Sequence, residues 1–107
     1  MKKLFVAAAL LGGSAMASAQ GTVNVICSVQ AEWCSVISTV YARTTGTRIN
    51  MALKGSGEAL AQLIAEKDNP KTDVWFGGTG DPHLQAAEQG LTLEYKSPSL
   101  PQLHPWA

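Results

Sequence analysis

Charged residues are scarce in this chain, 15% of 107 positions, and they balance at eight bases and eight acids. They form no like-charged run and no basic stripe, which leaves nothing to attract a nucleic-acid backbone. No internal repeat and no low-complexity tract is present, so solenoids and arrays are excluded. Histidine occurs only at His83 and His104 and cysteine only at Cys27 and Cys34, in no spacing that matches a zinc site. Ser28 and Ser56 have no His-Asp partnership behind them, so a nucleophilic mechanism lacks both its base and the acid that orients it. The stretches GSGE and GGTGD carry neither the spaced glycines and downstream acid of a dinucleotide-binding turn nor the Gly-Lys-Ser/Thr ending of a triphosphate-binding loop. These absences point away from an enzyme, a metal site and a bound cofactor.

What the chain does have begins at its N-terminus. Lys2 and Lys3 precede an apolar run from Leu4 to Leu11, and small residues lead to Ala17-Ser18-Ala19 before Gln20. That is the pattern of a secretory signal with an A-x-A cleavage site. A membrane anchor needs roughly 20 apolar residues, and Gly12, Gly13 and Ser14 break the run. Residues 1–19 are therefore expected to be removed on export, leaving a chain from Gln20 with six bases against eight acids that works outside the cytoplasm. Oxidised cysteine pairs persist there. With Cys27 at a strand end and Cys34 in the first turns of the next helix the two are within bridging reach, and closing so short a loop contributes about 2.5 kcal/mol in the chain-entropy model. A disulfide is favoured over two buried free thiols, which behave as small hydrophobes, and a metal site comes third.

Three β-rich runs alternate with three helical patterns. Val23 to Cys27 reads as a buried strand, and Trp33, Val36, Ile37, Val40 and Tyr41 then recur at the spacing of one helical face, closed by Gly46. That stripe is expected to lie in the core, with Trp33 and Tyr41 as packing residues rather than a platform for a ligand. Arg48 to Leu53 reads as a second strand, and Ser56 as the N-cap of a helix carrying Leu60, Leu63 and Ile64, with Glu58 in its first turn. Asn69-Pro70 ends it. Asp73 to Phe76 is the third strand, and Asp81-Pro82 the expected cap and first position of a helix stopped by Gly90. Beyond Leu91, Pro98, Pro101 and Pro105 argue for an irregular surface segment.

This β-α-β-α-β-α order predicts an α/β fold, a three-layer α/β/α parallel sheet with helices on its faces. Ligands of such sheets sit beyond the carboxyl ends of the strands. Three loops meet there: Ser28 to Glu32, Lys54 to Glu58 and Gly77 to Asp81. Helix N-termini leave N–H groups without partners in the helix and carry a positive dipole end, which together suit an anion. The candidate ligand-binding residues are Ser28, Ser56, Gly57, Gly78, Thr79 and Asp81. Asp81 is expected first as a helix cap and additionally as an acceptor for ligand hydroxyls; His83 is expected at the surface and Lys54 in solvent.

CSVQAEWC, KGSGEALAQLIAEKDNPKTDVWFGGTGDPHLQAAEQGL and the ending EYKSPSLPQLHPWA, with the signal sequence, resemble the periplasmic solute-binding proteins of bacterial ABC importers, of the type II binding-protein fold. The likeness is most specific in DVWFGGTGDPH and is nearest the branch of ferric-iron binders and their sugar-phosphate-binding relatives. It implies a two-lobed, non-enzymatic receptor, monomeric when full length, that closes on its solute by hinge motion and delivers it to a membrane permease. It implies that residues 20–107 are the N-terminal part of the first lobe, without its return strands or the second lobe, an incomplete lobe. Iron binders of the branch use a histidine after the first strand and a glutamate after the third. Ser28 to Gln30 and Gly77 to Thr79 stand at those places, which favours a phosphorylated organic compound such as a sugar phosphate, or a phosphonate. A ferric-iron-binding protein is the alternative, and a small exported phosphate-handling enzyme the alternative of another class.

Overall fold

The computed structural model describes residues 21–107, so the signal sequence and its cleavage site lie outside the described residues. Strand β1 (Thr22–Ser28) is followed by helix α1 (Ala31–Thr45), β2 (Arg48–Leu53), α2 (Ser56–Ala65), β3 (Val74–Gly77) and α3 (Gly80–Glu88). A single 3-10 turn, Leu100–Gln102, interrupts the proline-rich tail. The strands form one parallel sheet in the order β2-β1-β3, with Cys27 opposite Leu53 on one side and Ser28 opposite Gly77 on the other. Because β1 is central and the chain leaves it first towards β2 and later towards β3, the strand order reverses at β1. That reversal opens a crevice at the carboxyl ends.

The core is small. Val25, Ile26, Cys27, Cys34, Ala59 and Ala86 are its buried apolar members. Cys27 and Cys34 are joined by a disulfide, with their Cα atoms 6.1 Å apart, which ties α1 to the end of the central strand. Strand alternation sends Ile26 to the opposite face, and α2 lies against β1 and against α3. Ala59 on α2 and Ala86 on α3 are fully buried, and small side chains of this kind allow close approach of helices.

The expected core stripe of α1 is corrected by the structure. Trp33 is 61% exposed, Val36 62% and Val40 55%, with Ile37 and Tyr41 also exposed. The least exposed residues of α1 are Cys34, Ser38 and Ala42, one helical turn apart. The physical reason is the disulfide: it brings the Cys34 face to the sheet, where α1 lies against β2, and the apolar stripe points elsewhere.

Two helix starts differ from expectation. The N-cap of α2 is Gly55, in extended conformation, and Ser56 is the first helical residue. Glu58, at the third helical position, reaches back and accepts the Gly55 N–H at 3.3 Å. The N-cap of α3 is Thr79, and Asp81 lies in the first turn without a capping bond of its own. Pro82 is tolerated there because the first turn's N–H groups have no helical acceptor in any case. The Ser56 hydroxyl is engaged across the crevice by the loop before α3, where it accepts the Thr79 N–H.

Candidate anion site at the carboxyl ends of the strands

Gly77 and Gly78 follow each other at φ 78° and 95°, a left-handed pair that few side chains tolerate. The pair folds the chain back over the sheet end. A Cβ on Gly78 would stand 2.5 Å from Ser56 Oγ and 3.2 Å from Ser28 Cβ. Ser28, from the end of β1, and Ser56, from the start of α2, thus close on the same glycine from two sides. Thr79 completes the contact: its backbone N–H donates to Ser56 Oγ at 3.0 Å.

Four of the six candidate residues, Ser28, Ser56, Gly78 and Thr79, are therefore brought together. Gly57 lies beside them as the second residue of α2, where its N–H has no partner within the helix. Asp81 lies exposed in the first turn of α3, and no hydrogen bond among the described residues joins its carboxylate to the other five. Because the Thr79 N–H is taken by Ser56, what Thr79 retains for a ligand is its hydroxyl. Ser56 in turn has one lone pair occupied and its O–H free to donate. An open groove of about 360 Å³ continues the crevice between β1 and β2, lined by Ser28, Lys54 and Glu58 among others. Larger troughs flank the sheet elsewhere, one at the opposite, amino ends of the strands around Asn24, Asn50 and Asp73, where side-chain bonds such as Asn50 Nδ2 to Asn24 Oδ1 at 3.0 Å satisfy those groups internally.

Two residues of the site escape sequence reasoning. Trp75 Nε1–H donates to Ser28 Oγ at 2.9 Å, a contact across 47 positions. His83 is half-buried rather than on the surface: its ring stacks on Trp75 with centroids 3.8 Å apart, and Nε2 lies 2.8 Å from the Gly77 carbonyl oxygen. No local pattern announces either; the β1–β3 register brings them to Ser28 and Gly77. Among the described residues no group of three or more His, Cys, Asp or Glu could hold a metal ion.

No protein-family model matches the chain. An uncharacterized protein of Haemophilus influenzae is 40% identical over 96 residues, covering 90% of this chain and 28% of that protein. The periplasmic binding protein AfuA from Actinobacillus pleuropneumoniae, solved with exogenous fructose-6-phosphate bound, shares the fold with a TM-score of 0.77 at 36% identity, over 80% of this chain and 27% of its own. The fold is part of a periplasmic binding protein fold. The periplasmic binding protein P5PA shares this binding-protein fold equally well, at 37% identity and a TM-score of 0.77 over the same shares. Iron-bound HitA from Pseudomonas aeruginosa has the same fold at 20% identity and a TM-score of 0.72, over 79% of this chain and 28% of its own. The chain spans little more than a quarter of the length of these proteins.

Proposed function

We propose that this chain is the N-terminal part of the first lobe of the solute-binding component of an ABC importer, that it captures a phosphorylated organic anion, and that it delivers the solute to a membrane permease. The meeting of Ser28, Ser56 and Gly78 at the strand ends carries the reading, because it gathers hydroxyl donors and two helix N-termini around one point. The 36% identity to a binding protein solved with fructose-6-phosphate supports the same ligand class. Gly57, Gly78 and Thr79 contact the phosphoryl oxygens, and Asp81 accepts from hydroxyls of the organic part. Ferric iron favours carboxylate, phenolate and imidazole donors, whereas the β1 and β3 loops offer hydroxyls and backbone. A periplasmic location, reached through cleavage after residue 19, suits the Cys27–Cys34 disulfide.

Charge-assisted hydrogen bonds contribute about 1.5–3 kcal/mol each. Three of them come to about 4.5–9 kcal/mol, and ordering and association costs leave the sum short of the roughly 8 kcal/mol of micromolar binding. The loops by themselves therefore bind weakly, and the second lobe of the complete receptor supplies the remaining contacts and the hinge.

Amide NMR of the labelled chain, titrated separately with fructose 6-phosphate, inorganic phosphate and ferric citrate, tests the reading. The Gly57, Gly78 and Thr79 amides are expected to shift with either phosphate. Gly57→Asp, at a position where a side chain meets nothing within 4 Å, puts a carboxylate at the crevice and is expected to weaken that response at least about tenfold, roughly 1.4 kcal/mol. Perturbation by ferric citrate with no response to either phosphate overturns the ligand class.

A further inference from the structure

Among the groups lining the crevice, Ser28 has a partner whose chemistry restricts what its hydroxyl can do next. An indole N–H donates and never accepts, so the 2.9 Å contact from Trp75 Nε1 makes Ser28 Oγ the acceptor. A hydroxyl has one proton to give, and the indole leaves that proton unused. We infer that Trp75 is a positioning residue for the anion site: by donating to one lone pair of Ser28 Oγ it turns the hydroxyl proton away from the indole and leaves it for a ligand atom that accepts, such as a phosphoryl oxygen.

His83 holds the indole in place. The Gly77 carbonyl is acceptor-only, so the 2.8 Å contact requires the proton on His83 Nε2. A ring fixed at that end and stacked on the indole at 23° keeps the Trp75 plane from rotating. The same carbonyl belongs to the residue opposite Ser28 in the β1–β3 register, so one short strand carries both the anchor of the His83 ring and the donor to Ser28. Ser56 obeys the same logic, with the Thr79 backbone N–H in the place of the indole. Both serines thereby keep their proton for a ligand, one through a side chain that can be changed and one through the main chain that cannot.

This inference deepens the anion-binding reading and rests on it, so its test separates the two. Trp75→Phe keeps an aromatic face for His83 and removes only the N–H. In the NMR titration of the chain with fructose 6-phosphate and inorganic phosphate, Trp75→Phe is expected to weaken binding about fivefold, the typical effect of one neutral hydrogen bond. In a Ser28→Ala background the same change is expected to have no further effect. Equal losses in both backgrounds overturn the positioning role, because a merely structural tryptophan acts whether or not Ser28 is present. The unliganded spectrum gives an independent reading. Ser28→Ala is expected to shift the Trp75 indole N–H resonance and speed its exchange with solvent, leaving the solvent-facing Trp33 and Trp106 indoles unchanged, while the amides of buried Val25 and Ile26 report that the variant folds. An unmoved Trp75 resonance overturns the hydrogen bond itself. Absence of any phosphate response in the unsubstituted chain, with the indole shift intact, overturns the anion reading and leaves a purely structural Trp75–Ser28 bond.

Discussion

The two flanks of the sheet are held in different ways. On the α2–α3 flank the helices meet around buried alanines, and the loop before α3 reaches across to Ser56. On the α1 flank the helix is tied by a covalent bond and presents small residues to the sheet, while its largest apolar side chains stand exposed. Amphipathic spacing fixes that a helix forms and that it has an apolar face. Which way that face points is decided by tertiary contacts, and on α1 a single disulfide decides it.

The largest expected effect tests that tie. Cys27→Ser with Cys34→Ser, or reduction of the unsubstituted chain, is expected to lower stability by about 2.5 kcal/mol, the chain-entropy value for so short a loop. Chemical denaturation with and without reductant measures it. The contrast between the flanks adds a spatial expectation: hydrogen-exchange protection is lost in α1 well before α2 and α3. Uniform loss would mean that the disulfide serves the sheet as a whole and that the flanks are not held separately.

A smaller effect belongs to the other flank. Beyond α2, the Glu66 carboxylate accepts hydrogen bonds from the Lys71 N–H at 3.2 Å, the Thr72 N–H at 3.0 Å, the Thr72 hydroxyl at 3.0 Å and Gln62 Nε2 at 2.7 Å. Burial pushes its pKa up, but the bonds from Gln62, Thr72 and the two backbone N–H groups outweigh this and hold it below its ordinary value. A carboxyl lowered in the folded state stabilises fully above the unfolded value, about pH 4.3, and that contribution disappears as pH falls through the lower folded value. Acid is therefore expected to loosen the α2–β3 junction first, seen as loss of the Lys71 and Thr72 amide shifts. Glu66→Gln should remove this acid dependence; a variant that titrates like the unsubstituted chain would show that Glu66 is not the responsible group.

Much of this architecture was legible before any coordinates. β2 spans the expected Arg48–Leu53, β1 is one residue longer at each end than the Val23–Cys27 run, and Gly46 caps α1 at φ 74°. Those signals are local: β-branched runs, and a left-handed position that glycine fills without cost. That Ser28, Ser56, Gly78 and Thr79 gather at one end of the sheet was legible, because the carboxyl ends of parallel strands bring loops together whatever their sequence. Trp75 and His83 were not, because what matters about them is a partner across the sheet. The helix starts lie one and two residues earlier than expected, and at α2 the serine suited to capping its own helix accepts the Thr79 N–H from across the crevice instead.

The smallest expected effect falls where composition promised the largest. Val36 has the β-branched apolar side chain of a core residue, and burying such a group fully contributes about 1.5–3 kcal/mol. At 62% exposure most of that is not realised, and surface substitutions of this kind stay within about 0.5 kcal/mol. Val36→Ser is therefore expected to leave the denaturation midpoint of the chain nearly unchanged, within that margin. A loss above about 1 kcal/mol, beyond the surface range, would mean that the α1 stripe is covered in solution, and the asymmetry between the flanks would then vanish. Val36→Ser bears on that asymmetry more directly than any change at the disulfide, because Cys34 is buried on either account while Val36 is free only if the outer face of α1 is open.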